Sequence, residues 1–333
     1  MEFWVKQWRD DPVLNALLQS KAMQRLKDIS FLGAIDYTSL VEAESEGDRS
    51  RWTHSLAVAA VTDFVAQSRR YNEETRRHLV AAALLHDIGH APLSHSVEPF
   101  FKQHLGLGHH DLGHYFMDED EELASLLKDH FDVDRIKHLI AGDVGFAYGD
   151  DLFSGPINVD TIDGILRSAK RFKEKIAYSP FELAEAAFLE SDQESSTALL
   201  DQFWELKGRM YEQYIVSETG ILADAYSQFY FENQSVSLSQ GELVSTEREW
   251  RHAYPELFHG LETLSEYKDG DALEGRGAAY VSRCYYVVPS EKNHHARYQV
   301  KKYKKEIHFG LSANKHKEGM RDGIHRKESC LYQ

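Results

Sequence analysis

Residues 78–95 read HLVAAALLHDIGHAPLSH. From Leu79 to Leu85 every position is apolar, so a helix here is hydrophobic all round and belongs at the centre of a helical bundle. The character then changes: His86 and Asp87 are followed by Gly89 and Pro92, residues that close a helix, and by His90 and His95. A lone carboxylate at the end of the most apolar segment is costly to bury. Beside an imidazole it makes sense if both face a cation. That pair suits Mn, Fe, Co, Ni or Zn and tolerates Mg.

The surrounding chain is helical in pattern as far as about residue 265. Pro12 opens a segment with Leu14, Leu17 and Leu18 in register. Ser55–Val65, Thr75–Ile88, Asp134–Ala141 and Val159–Ala169 read as helices, and the acidic run Asp118–Glu122 opens another. Leu199–Tyr230 carries one long helical pattern with Gly208 and Gly220 as interruptions. Near Asp269 the pattern changes. AAYVSRCYYVVP (278–289) and ARYQVKKYKKEIHF (296–309) are rich in Tyr, Val and Ile, and predict a hairpin or strand pair separated by SEKNHH. The expected fold is therefore mainly α. An α-helical domain spans residues 1–265, with its motifs in 23–170 and a helical extension over 180–265. A small β-containing basic region follows over 266–333.

Composition excludes several classes. No apolar run approaches the roughly 18 residues of a membrane span, and the start, MEFWVKQWRDDPV, lacks the order of a signal peptide. With two cysteines, Cys284 and Cys330, neither a disulfide framework nor a zinc cluster is indicated, and a reducing cytoplasm is expected. Net charge is −16, which argues against general affinity for nucleic acid. Residues 283–327 nevertheless hold twelve Lys/Arg against four Asp/Glu. A solvated face paired with the acidic body explains them more simply than a nucleic-acid arm, although the latter stays open.

A His-Asp dipeptide alone carries little weight, since His110–Asp111 is a second one. A metal needs more ligands. Arg51 and His54 share a helical face at i and i+3, making His54 the third candidate; alone it would read as a polar residue near a helix start. Asp160 is the fourth, with Asp163 and Arg167 on the same face; alone it would read as a helix N-terminal carboxylate.

HDIGHAPLSH (86–95) resembles the signature of the dNTP triphosphohydrolases of the HD superfamily, and GHHDLGHYF (108–116) follows it as in that group. RSRWTHSLAV (49–58) is similar to the group's upstream R-x-x-H-S segment, and LFSGPINVDTIDGILRSA (152–169) to its late segment. GRMYEQY, around Tyr211, is a weaker fifth likeness. The resemblance implies an HD-domain helical bundle holding one divalent metal on His54, His86, Asp87 and Asp160. It implies phosphate contact and proton transfer by His90, His95 and His110, with Glu98 orienting one of them. Arg51 and Arg167 would bind phosphate, and Tyr211 and Asp163 would contact substrate. The reaction implied is attack of metal-activated water on a nucleoside or deoxynucleoside triphosphate, giving nucleoside and triphosphate, in a protein that tends to form homo-oligomers. Where the group has Lys or Arg after the ligand Asp, this chain has Thr161; where it has D-Y and R-D, this chain has Asp163–Gly164 and Arg167–Ser168. The metal pattern is intact and the nucleotide pattern altered. That keeps open a phosphodiesterase acting on a cyclic nucleotide or single-stranded nucleic acid, and a non-catalytic nucleotide sensor.

Overall fold

The computed structural model describes residues 2–41, 49–189, 193–233, 240–264 and 276–308. It is mainly helical, with one two-stranded sheet near the C-terminal end of the described residues. Three helices, α1 (Glu2–Asp10), α2 (Pro12–Gln19) and α3 (Lys21–Arg25), lead to the central pair, α4 (Arg51–Ser68) and α5 (Glu73–Leu85). Ser50 caps α4 by accepting from the Thr53 amide, and Asn72 caps α5 by accepting from the Thr75 amide. Both helices are buried nearly all round. Alanines at 59, 60, 81, 82 and 83, each at most 2% exposed, let them approach closely. Trp8 of α1 donates its indole N–H to the buried carboxylate of Asp63, which also receives Arg76.

Around this pair lie α6 (Glu98–Leu105), α7 (His109–Glu119), α8 (Glu121–His130), α9 (Val133–Ala141) and α10 (Val159–Arg171). The α10 helix buries Val159, Ile162, Ile165, Leu166 and Ala169 on one side, and Asn158 caps it. The expected helix ending at Ile88 stops earlier, at Leu85, and the chain turns through His86–Gly89. This turn brings two consecutive polar residues to the end of an apolar helix.

The extension comprises α11 (Pro180–Phe188), α12 (Gln193–Met210), α13 (Glu218–Asn233), α14 (Gln240–Leu243), α15 (Glu247–Ala253) and α16 (Pro255–Glu262). The long pattern over 199–230 is interrupted at neither expected glycine, since Gly208 lies inside α12 and Gly220 inside α13. A single wide turn at Tyr211–Ile215 separates α12 from α13. Gly208 stays helical with its Cα against Tyr285, whereas a Cβ at Gly220 would lie 2.6 Å from the Ile215 carbonyl oxygen. Phe101, Phe231, Trp250, Tyr254 and Phe258 form a second core joining this extension to α6.

Strands β1 (Gly277–Val287) and β2 (Tyr298–His308) pair antiparallel from Gly277↔His308 to Val287↔Tyr298. Between them lies the single turn α17 (His294–Arg297). Tyr285 and Tyr298 pack on Trp204, and Arg297 grips Asp201 of α12 through two hydrogen bonds of 2.8 and 2.6 Å. The pattern change near Asp269 and the basic residues beyond His308, with Cys330, lie outside the described residues. Among the described residues no helix is long and apolar enough to cross a membrane.

Candidate metal and phosphate site

Three segments converge on one cavity of about 420 Å³: the start of α4, the turn after α5 and the start of α10. His54 Nε2 lies 3.1 Å from His86 Nε2 and 3.0 Å from Asp160 Oδ1, and the coordinating atoms of all three fall within 4.8 Å of one another. Asp87 adds a carboxylate, with Oδ2 3.5 Å from His54 Nε2 and Oδ1 3.5 Å from His86 Nε2.

The other ring nitrogens set the tautomers. His86 Nδ1 donates to the Ala83 carbonyl at 2.8 Å, and His54 Nδ1 donates to Asp163 Oδ2 at 2.6 Å. In the neutral rings both Nε2 atoms therefore present lone pairs toward each other and toward carboxylates. Lone pairs 3.1 Å apart repel, and a cation between them turns repulsion into coordination. Metal-bound histidines are held in the same way, with the far nitrogen donating to a carbonyl or carboxylate. The donor set thus fits a divalent ion of the borderline class.

The carboxylates draw positive charge to this same point, as a proton on His86 or as a bound cation. Burial opposes a charge on His86, but Asp87 and Asp160 outweigh it and push the imidazole up to about 9. Burial likewise opposes ionisation of Asp87, yet Arg51, His86 and His90 hold that carboxyl well below its usual range. His54 and His86 do the same for Asp160. Arg51 is a structural keystone. It donates to Asp87 Oδ2 at 2.5 Å, to Ser94 Oγ at 2.7 Å and to the Phe31 carbonyl at 3.1 Å.

Beside this set stands a histidine cluster. His90 Nε2 is 3.2 Å from Asp87 Oδ1, and its ring stacks on His109 at 4.4 Å with a 9° interplanar angle. His95 meets both rings edge-on. Glu98 accepts from His95 Nδ1 at 3.0 Å and from His109 Nδ1 at 2.8 Å. Burial, then the Arg51 charge, holds His90 well below the ordinary histidine value, and partial desolvation at the cavity wall lowers His95 and His110 although both rings open to solvent. Gly89 makes the cluster feasible: a Cβ there would lie 1.9 Å from the His109 carbonyl oxygen. Leu93 and Ser94 adopt positive φ, 60° and 49°, and are pinned by Glu247, Ser30 and Arg51.

The residues expected to form the site are distributed unevenly. His54, His86, Asp87, Asp160, His90, His95, His110, Arg51 and Tyr211 all line the cavity. Glu98 sits behind the histidines. Asp163 and Arg167 sit behind His54: Arg167 donates to Asp163 and to Thr53 Oγ1, so both face away from the position where substrate contact was expected. Their spacing put them on the face of Asp160, but one helical turn is enough to carry them past the cavity wall. Three residues were missed. His109, rather than its neighbour His110, takes Glu98, and a His-His doublet cannot reveal which ring turns inward. Lys207 and Asp224 reach the cavity from α12 and α13. Burial pushes the Lys207 ammonium down to about 8, partly opposed by Asp160, and pushes Asp224 up to about 6.

The HD domain family model matches residues 51–163, the stretch that supplies all four candidate ligands. These residues are an HD domain. The chain is 31% identical over 181 residues to the uncharacterized protein YwfO of Bacillus subtilis (strain 168), covering 52% of this chain and 39% of that protein. It is 41% identical over 64 residues to a deoxyguanosinetriphosphate triphosphohydrolase-like protein of Ralstonia pickettii (strain 12J), covering 19% of this chain and 16% of the relative. A protein of the same description from Caldanaerobacter subterraneus subsp. tengcongensis is 37% identical over 84 residues, 25% and 21% of the two chains. These matches span well under half of the relatives' length.

Proposed function

We propose that this HD domain is a divalent-metal-dependent phosphohydrolase acting on nucleoside or deoxynucleoside triphosphates. The observation that carries the reading is the pair of Nε2 atoms 3.1 Å apart, each ring fixed from behind through Nδ1 and flanked by the carboxylates of Asp87 and Asp160. The triphosphohydrolase description of two relatives supports the substrate class.

His54, His86, Asp87 and Asp160 would hold the ion. When bound, the ion lowers the pKa of water and neutralises phosphate charge. His90, kept neutral at physiological pH by burial, and His95, at the solvent-open side of the cavity, hold or pass a proton at the cavity wall, and Glu98 fixes the orientation of His95 and His109. His110 borders the same wall, and Arg51 keeps Asp87 ionised. Asp163, tied to Arg167, orients His54.

The test is metal content alongside product analysis. The purified chain should carry one divalent ion. With Mn or Mg it should cleave members of an NTP and dNTP panel, releasing triphosphate if attack falls on the α-phosphate. His86→Ala and Asp87→Ala should each lose the ion and the activity together. Either variant retaining both would remove the assignment.

A further inference from the structure

We propose that Lys207 is the phosphate-binding cation of this cavity, reaching it from α12. This rests on the phosphohydrolase reading above and names a residue outside the segment matched by the HD family.

Among the described residues, the arginines and lysines lining the cavity are Arg51 and Lys207. Arg51 is already committed: its charge is matched by Asp87, and each of its three nitrogens makes a hydrogen bond, to Asp87, Ser94 or Phe31. Lys207 differs. Its Nζ gives one hydrogen bond, to the Pro156 carbonyl at 3.2 Å, and among the described residues no carboxylate lies within ion-pair distance. An ammonium has three donors, so this single bond leaves capacity for a ligand.

The ammonium lies over the Trp204 ring, with Nζ 4.7 Å from its centroid and 5.7 Å from that of Tyr285, which holds the head group in place. A second cation stands close by: Arg283 of β1 lies over Tyr211 at 4.7 Å and acts on Lys207 by like-charge repulsion. Asp160 on the facing helix also acts on Lys207, but outside ion-pair distance and assigned above to the ion, so the ammonium keeps donors for an anion. The wall opposite needs such a cation. The first turn of α10 offers Asn158, Asp160 and Thr161 to the cavity and no positive charge. A polyanion entering a chain of net charge −16 requires local positive charge.

The alternative is that Lys207 only covers Trp204. Lys207→Met separates the two, because methionine keeps the apolar stem and removes the charge. Lys207→Gln is a second neutral variant, and circular dichroism with Mn content identifies a folded, metal-competent one. The full chain is titrated calorimetrically with inorganic tripolyphosphate at fixed free Mg²⁺. Loss of one charge-assisted hydrogen bond predicts binding weakened about tenfold or more. Lys207→Arg should stay close to wild type, and Thr161→Lys added to Lys207→Met should recover binding by placing an ammonium on the facing helix. Unchanged tripolyphosphate affinity in a folded neutral variant overturns the role of Lys207 alone. Absence of binding by the wild-type chain overturns both this role and the phosphohydrolase reading.

Discussion

His54 works in two directions: Nδ1 donates to Asp163 while Nε2 faces His86 and Asp160. Burial opposes ionisation of Asp163, but Arg167 and His54 hold the carboxyl below its usual range, so it acts as a fixed negative charge behind the ligand. Removing such a partner costs roughly 10–100-fold in metal affinity in comparable sites. Asp163→Ala should therefore retain the fold yet weaken Mn binding by about that factor in a direct titration. An unchanged dissociation constant would mean that the ring is held by its packing on Phe31 instead. At this scale the candidate ligands were legible in the sequence through the blocks that hold them, because a His-Asp pair alone recurs at His110–Asp111. Their supports were not, because Asp160 and Asp163 are equivalent by spacing and differ only in the direction of their carboxylates.

Helix α15 reaches the site through one residue. Buried Glu247 accepts from the Ser30 amide at 2.9 Å, the Ser30 hydroxyl at 2.7 Å, the Leu93 amide at 3.0 Å and the Tyr37 hydroxyl. It thereby ties the extension to the left-handed turn that carries His95. Glu247→Ala leaves those donors unmatched and should lower stability by about 2–4 kcal/mol in urea unfolding. Glu247→Gln keeps an acceptor and should cost far less. Burial raises the Glu247 carboxyl above its ordinary 4.5 despite these donors. The protonated form is then the one the fold favours. That contribution is complete below the unfolded-state value and is lost as pH rises through the higher folded value. Stability of wild type relative to Glu247→Gln should accordingly fall as pH rises above the ordinary 4.5. Parallel unfolding curves for the two at every pH would contradict the raised value. Nothing in the pattern of EREWRHA marks Glu247 as buried, since an acid in a first helical turn is ordinarily a solvated, dipole-favoured residue.

Across the molecule, α4, the turn after α5 and α10 bring their candidate ligands together at the site from positions up to 106 residues apart in sequence. A bound ion is then a staple between elements that otherwise join through apolar contacts. Mn at about a hundredfold over its dissociation constant should stabilise the chain by about 2.7 kcal/mol. Thermal unfolding should show the shift in wild type and none in His86→Ala. Equal shifts in both would place the ion elsewhere. The hairpin contributes from the far side: Tyr285 packs against Gly208 and Trp204, beside Lys207, so residues near the end of the chain shape a cavity built by its first half.

By itself, the sequence of this protein determined the helical class, the central apolar helix, the strand pair and the blocks carrying His54, His86, Asp87 and Asp160. Helical period, helix-closing residues and local motif spacing are properties of short stretches and survive without a partner. Only the tertiary structure decided that His109 joins His90 and His95, that Asp163 and Arg167 stand behind His54, and that Lys207 and Asp224 border the cavity. Those outcomes depend on how each helix is rotated about its axis and where its end meets another. Packing across distant segments sets both, and neighbouring residues carry no record of it.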